Sequence, residues 1–585
     1  MKLALITRAA SACALVAVLF GACTQGMAPP SLPSVPLPPA TPAASSAPAP
    51  STVPMPSVRP AAPTPSPEDT QTDWDAAQAA VISLNGASAA SEDPRVFIQG
   101  STVTITHAGT FVLSGTLDDG CIAVAATGSD TVRLILNGAS ITNATGAAIY
   151  ASQCQKLIVT LADGTQNMLA DGGDAFAYAD AGNEEPNAAL FCKDDLTLNG
   201  GGALTVTAGF RNGIGSKDHL LILGGSYDIT AQNHGLRAND SLTIAGGSLT
   251  IAADNDGIQT NETDGTGDAG LAAIFLQGGD FIIDAAHDAV QSGSSIIVTG
   301  GDYRLTSGGG ASSNRNAASE SFKGLKAAGN LFVEGGTLAI DSYDDALHAD
   351  GGIAISGGTL TLASTDDAVH ADADLTITGG ILRVTQSYEG LEAAHIAISG
   401  GDIVLYASDD GVNAAGGRDQ ASDRGFERDR FTPGRYGIVI DGGWLTLYAG
   451  GDGIDANGTL TIGGGTVVSL IDSTPDNGAL DADGAIVFTG GAVIYGGSGL
   501  GGFPQSGSTQ SFVRVDATSP ITGEVVVSQD GQALLSFAPP FPCAYLCFSS
   551  PDIQSGQSYG VAIDGTASSN VVAGEGATGG WPPRR

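Results

Sequence analysis

A repeat of 22 residues constrains the fold of this chain more than any other feature of its sequence. Leu331, Ile353 and Leu375 lie 22 residues apart, and each opens a segment of the form apolar-x-apolar-x-Gly-Gly. Each segment continues into a short run of alternating apolar and polar residues and then turns at an acidic cluster. A fixed period of this size indicates a stacked, quasi-one-dimensional fold.

The same unit extends in both directions along the chain. Its opening residue recurs at Leu196, Leu220, Leu242, Ile274, Ile296, Leu331, Ile353, Leu375, Ile396, Ile438, Leu460 and Ile486. Three steps are longer because insertions follow Thr260, Ser307 and Ala414. The alternation is typical of strands, and the Gly-Gly pairs allow tight corners. Stacked coils bury one side of every strand and pair its edges, so the sequence predicts an all-β, right-handed parallel β-helix, the hand following the usual crossover rule.

The two ends of the chain differ from the repeat. Residues 1–22 have the charged start and apolar run of a signal peptide, and Cys23 follows where a bacterial lipoprotein is acylated. An ordinary secretory signal is the alternative, and either interpretation predicts export. Residues 23–75 are rich in Pro, Ala and Ser and predict an extended tether to the cell envelope. We expect β-rich N-terminal coils over 81–195, a regular solenoid over 196–502, a small β cap over 503–564 and a loose tail over 565–585.

The charge of the chain restricts its partners. The sequence has 84 Gly residues, 14% charged residues and a net charge of -38. Such acidity argues against nucleic acid, whose phosphates would be repelled. It would also repel acidic sugars unless cations lie between protein and sugar.

Five cysteines remain after the expected processing. The sequence allows a local disulfide between Cys543 and Cys547 in the cap. It also allows a bridge between two of Cys121, Cys154 and Cys192 on neighbouring coils. The odd count leaves one thiol free.

Acidic residues recur at fixed phases of the repeat and predict a calcium site. One column reads Asp256, Asp288, Lys323, Asp345, Asp367, Glu389, Asp410 and Asp452, and the preceding column adds Asp344, Asp366 and Asp409. Neighbouring strands lie about 4.8 Å apart, so stacked carboxylates would repel by about 3.5 kcal/mol at an effective dielectric near 20. Because Ca–O bonds are about 2.3–2.6 Å long, Ca²⁺ fits between two such groups. The alternative is a solvated turn, since Asp favours turns.

His348 and His370 also share a phase, one coil apart. A transition-metal site is one interpretation of this pair. We favour polar surface residues in register, because Glu392 takes the next place in the column.

A separate group of residues suggests sugar binding. Strand alternation directs Trp444 and Tyr448 outward, and Tyr406 has the phase of Tyr448 one coil earlier. Outward aromatic rings suit stacking against pyranose rings. The insertion after Ala414 adds five arginines, which can clamp a carboxylate: Arg418, Arg424, Arg428, Arg430 and Arg435. Of these, Arg428 and Arg430 are our candidate ligands; the alternative is that the insertion packs over the aromatic rings.

Several longer stretches resemble one family. They include GTFVLSGTLDDG at 109–120, VRLILNGASIT at 132–142, AALFCKDDLTLNGGGALTV at 188–206, GIGSKDHLLILGG at 213–225, and SFAPPF followed by SSPDIQSGQSYGV at 549–561. The chain resembles the secreted calcium-binding β-helix proteins described as carbohydrate-binding, which are structurally similar to pectate lyases. The resemblance covers about 81–564. It implies calcium along the helix and affinity for polysaccharides, including acidic ones such as polygalacturonate. Cys192 and His219 depart from the family's SKDD-like stretches.

Three classes of function follow. In a binding module, calcium bridges protein carboxylates to uronate carboxylates, which resolves the charge conflict. In a polysaccharide lyase, calcium acidifies the proton beside the uronate carboxyl. Lys323 or Lys326 then removes this proton as the base of a β-elimination. A structural surface adhesin would have no sugar affinity. We favour the binding module, because an ordinary Lys keeps its proton at neutral pH and Lys in an acidic column neutralises its neighbours.

Overall fold

The computed structural model describes residues 59–261, 271–314, 320–415, 436–472, 477–499 and 501–574. Within them the chain is built almost entirely of short strands joined by turns. None of the helical segments in these ranges has the length and apolarity required to cross a bilayer.

The N-terminal region holds one short helix, a 3-10 turn at Gly173–Ala175 and irregular strands. Its elements are α1 (Pro67–Thr70), β1 (Ala80–Gly86), β2 (Ala89–Ala90), β3 (Val96–Gln99), β4 (Thr102–Ile105), β5 (Gly109–Leu117), β6 (Cys121–Ala125), β7 (Thr131–Thr142), β8 (Ile149–Gln153), β9 (Lys156–Leu161), β10 (Gln166–Ala170) and β11 (Ala188–Cys192).

The regular coils follow. Their first strands are β12 (Asp195–Gly200), β13 (Ala203–Ala208), β14 (Asn212–Ser216), β15 (His219–Ile222), β16 (Ser226–Ala231), β17 (Leu236–Ala238), β18 (Ser241–Ile244), β19 (Ser248–Ala253), β20 (Ile258–Thr260), β21 (Ala273–Leu276), β22 (Asp280–Ala285), β23 (Val290–Ser292), β24 (Ile296–Val298), β25 (Asp302–Ser307), β26 (Leu325–Ala327), β27 (Leu331–Val333) and β28 (Thr337–Ser342). They continue with β29 (Leu347–Ala349), β30 (Ile353–Ile355), β31 (Thr359–Ala363), β32 (Val369–Ile377), β33 (Ile381–Gln386), β34 (Leu391–Ile398), β35 (Asp402–Ala407), β36 (Val412–Ala414), β37 (Gly437–Ala449), β38 (Ile454–Ala456), β39 (Thr459–Ile471), β40 (Asp481–Ala482), β41 (Ile486–Phe488) and β42 (Ala492–Gly497).

The C-terminal part contains β43 (Phe512–Ile521), β44 (Val525–Gln529), β45 (Gln532–Phe537), β46 (Cys543–Ser549), β47 (Ser558–Ile563) and β48 (Thr566–Val572). Strands β44, β45, β47 and β48 form a separate four-stranded sheet, while β43 and β46 pair antiparallel with each other and β46 pairs with β42. The antiparallel pairing closes this edge of the solenoid. Because β48 pairs with β47, the predicted loose tail is wrong for residues 566–572.

Strands from successive coils form three parallel stacks. The first stack runs through β12, β15, β18, β21, β24, β27 and β30, the second through β13, β16, β19, β22, β25, β28 and β31, and the third through β14, β17, β20, β23, β26 and β29. The predicted opening residues pair with one another in the first stack, as Leu331 does with Ile353 and Ile353 with Leu375. The predicted parallel β-helix is therefore confirmed.

The core lies inside the coils. Strand β22 has the alternating exposed–buried pattern of a half-buried strand, and β28 repeats it. Buried side chains also stack between coils, as Phe281 does on Tyr303 with ring centroids 4.7 Å apart. At the corners, Gly336 has φ +88°, and a Cβ there would lie 3.0 Å from the carbonyl oxygen of Gly301 on the previous coil. The Gly-Gly pairs are thus required by close approach as well as by backbone conformation.

Part of the predicted tether lies against the solenoid. Asp69 in α1 is 2% exposed; Lys156 donates to its carboxylate at 3.0 Å and Thr197 at 2.7 Å. Arg133 donates to the backbone carbonyl of Asp73 at 2.7 Å. The prediction of an extended tether is therefore wrong for residues 67–73, because these buried polar contacts fix them on the first stack.

The predicted disulfides are absent from the described residues. All five cysteines between 121 and 547 are free thiols, and four of them are buried: Cys154, Cys192, Cys543 and Cys547. Burial raises the pKa of Cys547 to about 12, so this thiol remains protonated and unreactive. The spacing of the cysteines allowed bridges, but the four buried ones are small apolar side chains of the core and cap.

Candidate functional site

Two columns of polar residues run along the third stack. We call the first the turn column: it lies two residues before the inward residue that opens each strand and contains Asp256, Asp288, Lys323, Asp345, Asp367, Glu389, Asp410 and Asp452. We call the second the outer ladder: its members are strand residues in direct register, namely Arg237, Gln259, Gln291, Lys326, His348, His370, Glu392, Asn413 and Asp455. Along the outer ladder, cationic and amide side chains come first, the two imidazoles follow, and most of the remaining side chains are acidic.

The turn column is more buried than its composition predicts. Asp288 is 2% exposed, Asp345 1% and Asp367 4%. Several of these carboxylates accept the backbone N–H of the equivalent residue on the next coil. The N–H of Asp367 donates to Asp345 at 3.1 Å, and that of Lys323 donates to Asp288 at 2.7 Å. These carboxylates therefore join coil to coil.

Lys323 supplies the positive charge at the centre of the turn column. Its Nζ lies 2.7 Å from Asp345 Oδ2 and 3.0 Å from Asp344 Oδ1. Burial works to raise the pKa of Asp345, but Lys323 and the hydrogen bond from His348 outweigh it and hold that pKa well below its ordinary value. Asp344, Asp345 and Asp366 place ligand atoms within 4.8 Å of one another.

The next two coils lack a lysine in either column. His370 Nδ1 lies 2.8 Å from Asp367 Oδ2 and 2.9 Å from Glu392 Oε2, while its Nε2 lies 3.3 Å from Asp372 Oδ1. Burial, with the charges of neighbouring carboxylates, raises the pKa of Asp367 well above its ordinary value. Burial is also the main cause that raises the pKa of Glu389, and the charges of neighbouring carboxylates add to it.

Further along, three half-buried carboxylates converge. Asp410, Asp452 and Asp455 place ligand atoms within 4.8 Å of one another. Burial raises the pKa of Asp410 to about 8, although its Oδ1 accepts the Asp452 N–H at 2.6 Å. Asp455 was not among our predicted ligands, because it lies on the strand rather than in the repeated turn. Asp409, which was, forms a side-chain hydrogen bond with Tyr388.

The cationic part of the outer ladder lines a groove of about 360 Å³. Its lining is Arg237, Gln259, Thr260, Asn261, Gln291, Ser292, Gly293, Lys326, Ala328 and Asp350. Arg237 donates to Asn261 Oδ1 at 2.7 Å, and Gln259 donates to Gln291 Oε1 at 3.2 Å. Gln259 Oε1 is buried without a hydrogen-bond partner. This groove was missed by sequence reasoning, which followed the acidic column and not the neighbouring amides.

The two lysines considered as bases differ in position. Lys323 is 3% exposed and bound to two aspartates, which corresponds to the neutralising role weighed from the sequence. Lys326 lines the groove, where its Nζ lies 3.1 Å from Ser321 Oγ and 3.6 Å from Asp288 Oδ2.

The predicted aromatic platform is covered. Tyr406 and Tyr448 do stack, with centroids 4.9 Å apart, and they point away from the core. However, Tyr448 is 9% exposed and packs edge-on against Phe541 of the cap. Trp444 is half-buried and donates to Thr446 Oγ1 at 3.0 Å. An open platform at Tyr448 is therefore wrong, because the C-terminal sheet packs on this face.

Three other predicted residues lie outside the described ranges: Cys23, Arg428 and Arg430.

Comparisons with known proteins give the family. A family model described as carbohydrate-binding domain-containing protein matches residues 99–368, which include the whole groove. A carbohydrate-binding domain-containing protein of Acetivibrio thermocellus is 42% identical over 207 residues, covering 35% of this chain and 71% of that protein. A solved structure of the polysaccharide lyase-like protein from C. thermocellum, a gadolinium derivative, is 34% identical and covers 38% of this chain and 89% of that chain, with a TM-score of 0.37. By the identity and coverage of the Acetivibrio relative, this chain belongs to the family of carbohydrate-binding domain-containing proteins.

Proposed function

We propose that this protein binds an acidic polysaccharide along the third stack, with calcium as a bridging ion. The observation that carries this proposal is the groove between Arg237 and Lys326, which lies within the region matched by the carbohydrate-binding family model. The outer ladder continues from this groove through Glu392 to Asp455 of the acidic cluster.

The groove has the side chains that a uronate chain requires. The amides of Gln259, Asn261 and Gln291 both donate and accept hydrogen bonds, as sugar hydroxyls do. Arg237 and Lys326 lie three strand spacings apart, about 14 Å, and each can neutralise a sugar carboxylate. A short stretch of polymer would lie along the coil axis and contact both.

Calcium would extend the binding surface into the acidic part of the third stack. Carboxylates are the oxygen ligands that Ca²⁺ prefers. We favour Asp410, Asp452 and Asp455 over the cluster around Asp345, because Lys323 already holds a cationic group against Asp344 and Asp345. An ion held there by three protein oxygens would have positions left for a uronate carboxylate.

The experiment is a binding titration of polygalacturonate with calcium or with chelator. Calcium is expected to tighten binding at least tenfold, and Asp410→Asn to remove that gain. Asp280→Asn is the matched control, since Asp280 is exposed on the second stack. No polygalacturonate binding under either condition would overturn the proposal. Equal binding with calcium and with chelator would overturn its calcium part.

A second candidate, β-elimination, is supported by Lys326 in the groove. A lyase would release unsaturated product that absorbs in the ultraviolet, and Lys326→Ala would abolish its formation. No rise in absorbance over calcium-loaded wild-type protein would exclude this candidate.

We also propose that the chain is exported and held at the bacterial envelope by a lipid on Cys23. This rests on the sequence of residues 1–23. Metabolic labelling with a radioactive fatty acid, lost in Cys23→Ser, tests it.

A further inference from the structure

The buried group around His370 differs from the calcium candidates in its chemistry. It combines an imidazole nitrogen with carboxylate oxygens, whereas Ca²⁺ prefers oxygens alone. His370 Nδ1, Asp367 Oδ2 and Glu392 Oε2 lie within 4.8 Å of one another, and the two nitrogen–oxygen distances are 2.8 and 2.9 Å. Asp367 is 4% exposed and His370 3%.

We propose that His370, Asp367 and Glu392 bind a transition-metal dication of the zinc type, independently of the sugar site. Zn–N and Zn–O bonds are about 2.0–2.2 Å long, so tetrahedral donors lie about 3.4 Å apart. Each nitrogen–oxygen pair here would open by about 0.5 Å to admit the ion. Glu392 is half-buried and can make that adjustment itself, whereas the His370–Asp367 pair requires a small shift of a buried side chain.

The other ring nitrogen of His370 is placed as in known metal sites. A metal-ligating His usually donates its second N–H to a carboxylate, which fixes the tautomer. Here Nε2 lies 3.3 Å from Asp372 Oδ1. Nδ1 faces Asp367 and Glu392, to which it donates when it is protonated. On binding the ion, Nδ1 would lose this proton to solvent and turn its lone pair to the metal.

A buried oxygen without a hydrogen-bond partner belongs to the residue that follows Glu392 in the outer ladder. Asn413 is 7% exposed and is the register partner of Glu392 on the next coil. Its Nδ2 donates to Glu389 Oε2 at 2.9 Å, but its Oδ1 is buried and has no hydrogen-bond partner. An unsatisfied acceptor next to carboxylates, which are also acceptors, lacks a donor or a cation. The proposed ion would bring positive charge to the neighbouring coil.

The previous coil provides an internal comparison. His348 has the equivalents of two of the three His370 contacts: Nδ1 lies 2.8 Å from Asp345 Oδ2 and Nε2 lies 3.1 Å from Asp350 Oδ1. There, however, Lys323 Nζ lies 2.7 Å from the same Asp345 oxygen. Lysine thus holds the cation position on one coil, and the proposed metal holds it on the next.

The test uses the chelator-treated full chain, titrated with Zn²⁺ by calorimetry and with Co²⁺ by visible absorption. One ion is expected to bind, with the absorption bands of cobalt in a site of low coordination number. His370→Gln and Glu392→Gln are each expected to weaken zinc binding by more than tenfold, and Asp372→Asn by about 10–100-fold. His348→Gln is the matched control and should bind as wild type does.

Circular dichroism and melting of each chelated variant establish that it is folded. Zinc binding that is absent in wild type, or equal in wild type, His370→Gln and Glu392→Gln, would overturn the proposal. Loss of binding in His348→Gln as well would also overturn it. Zinc affinity is measured without polysaccharide, and calcium-dependent polygalacturonate binding is measured without zinc, both on the wild type. Failure of this inference and failure of the sugar proposal are thereby observed separately.

Discussion

Replacing Lys323 by Met is expected to destabilise the middle of the solenoid strongly. Lys323 is 3% exposed and lies 2.7 Å from Asp345, which is 1% exposed. Removing one partner of a buried ion pair leaves the other charge uncompensated and costs about 3–5 kcal/mol. About 1.4 kcal/mol corresponds to a tenfold change in an equilibrium constant. The equilibrium constant for local opening should therefore rise by about two to three and a half powers of ten.

Hydrogen exchange is the suitable assay, because stacked coils open in parts and a single unfolding transition is not assured. Backbone amides of β26 and β29 should lose protection by that factor in Lys323→Met, while amides near β12 stay unchanged. Lys326→Met is the control. Its ammonium is partly exposed and 3.6 Å from Asp288, and Asp288 keeps the hydrogen bonds from Ser321 Oγ and from the Lys323 N–H. Loss of Lys326 should therefore cost clearly less than loss of Lys323.

The effect of pH gives a second check of the same reasoning. The lowered pKa of Asp345 means that its ion pairs stabilise the wild type above an ordinary carboxyl pKa, and that this contribution is lost on acidification. In Lys323→Met, burial would raise the pKa of Asp345, and protonation would neutralise it. The penalty should therefore shrink as the pH falls toward 4. Equal protection in Lys323→Met and Lys326→Met at pH 7 would refute the argument.

Two further predictions concern pH and thiols. Because burial raises the pKa of Asp410 to about 8, the chelated protein should lose stability as pH rises from about 4 to about 8, and Asp410→Asn should flatten that part of the melting profile. A melting temperature that does not change with pH across this window would contradict it. Reductant should leave the melting temperature unchanged, and the thiols from Cys121 to Cys547 should react fully with Ellman's reagent after denaturation without reduction. A lower melting temperature with reductant would show that a disulfide exists.

The coil repeat could be predicted from the sequence because one set of residues determines it. Leu331, Ile353 and Leu375 are all inward-facing and buried, and any shift in register would expose them. Period and burial therefore specify the same register. The extra strand β48 has no such repeat, which is why it was assigned to a loose tail.

The sequence predicted which residues of the candidate site lie above one another, but it did not predict how deeply they are buried. Sequence alignment of the coils placed Asp345 above Asp367, as the structure does. It could not show that these carboxylates are buried and bond to the backbone, since alternation does not apply in a turn. Similarly, alternation directed Tyr448 outward correctly, but its cover comes from Phe541, more than ninety residues later in the chain. Contacts between residues so far apart in the chain leave no pattern in the sequence around either residue.

The direct register of the third stack fixes the spacing of the side chains along this face. The distance between Arg237 and Lys326 is fixed by the number of intervening coils and not by the reach of either side chain. Duplicating one complete coil would lengthen the face by about 4.8 Å and leave the packing of every other coil as it was. A protein built in this way can therefore lengthen this face by one coil in a single duplication, without redesign of the core.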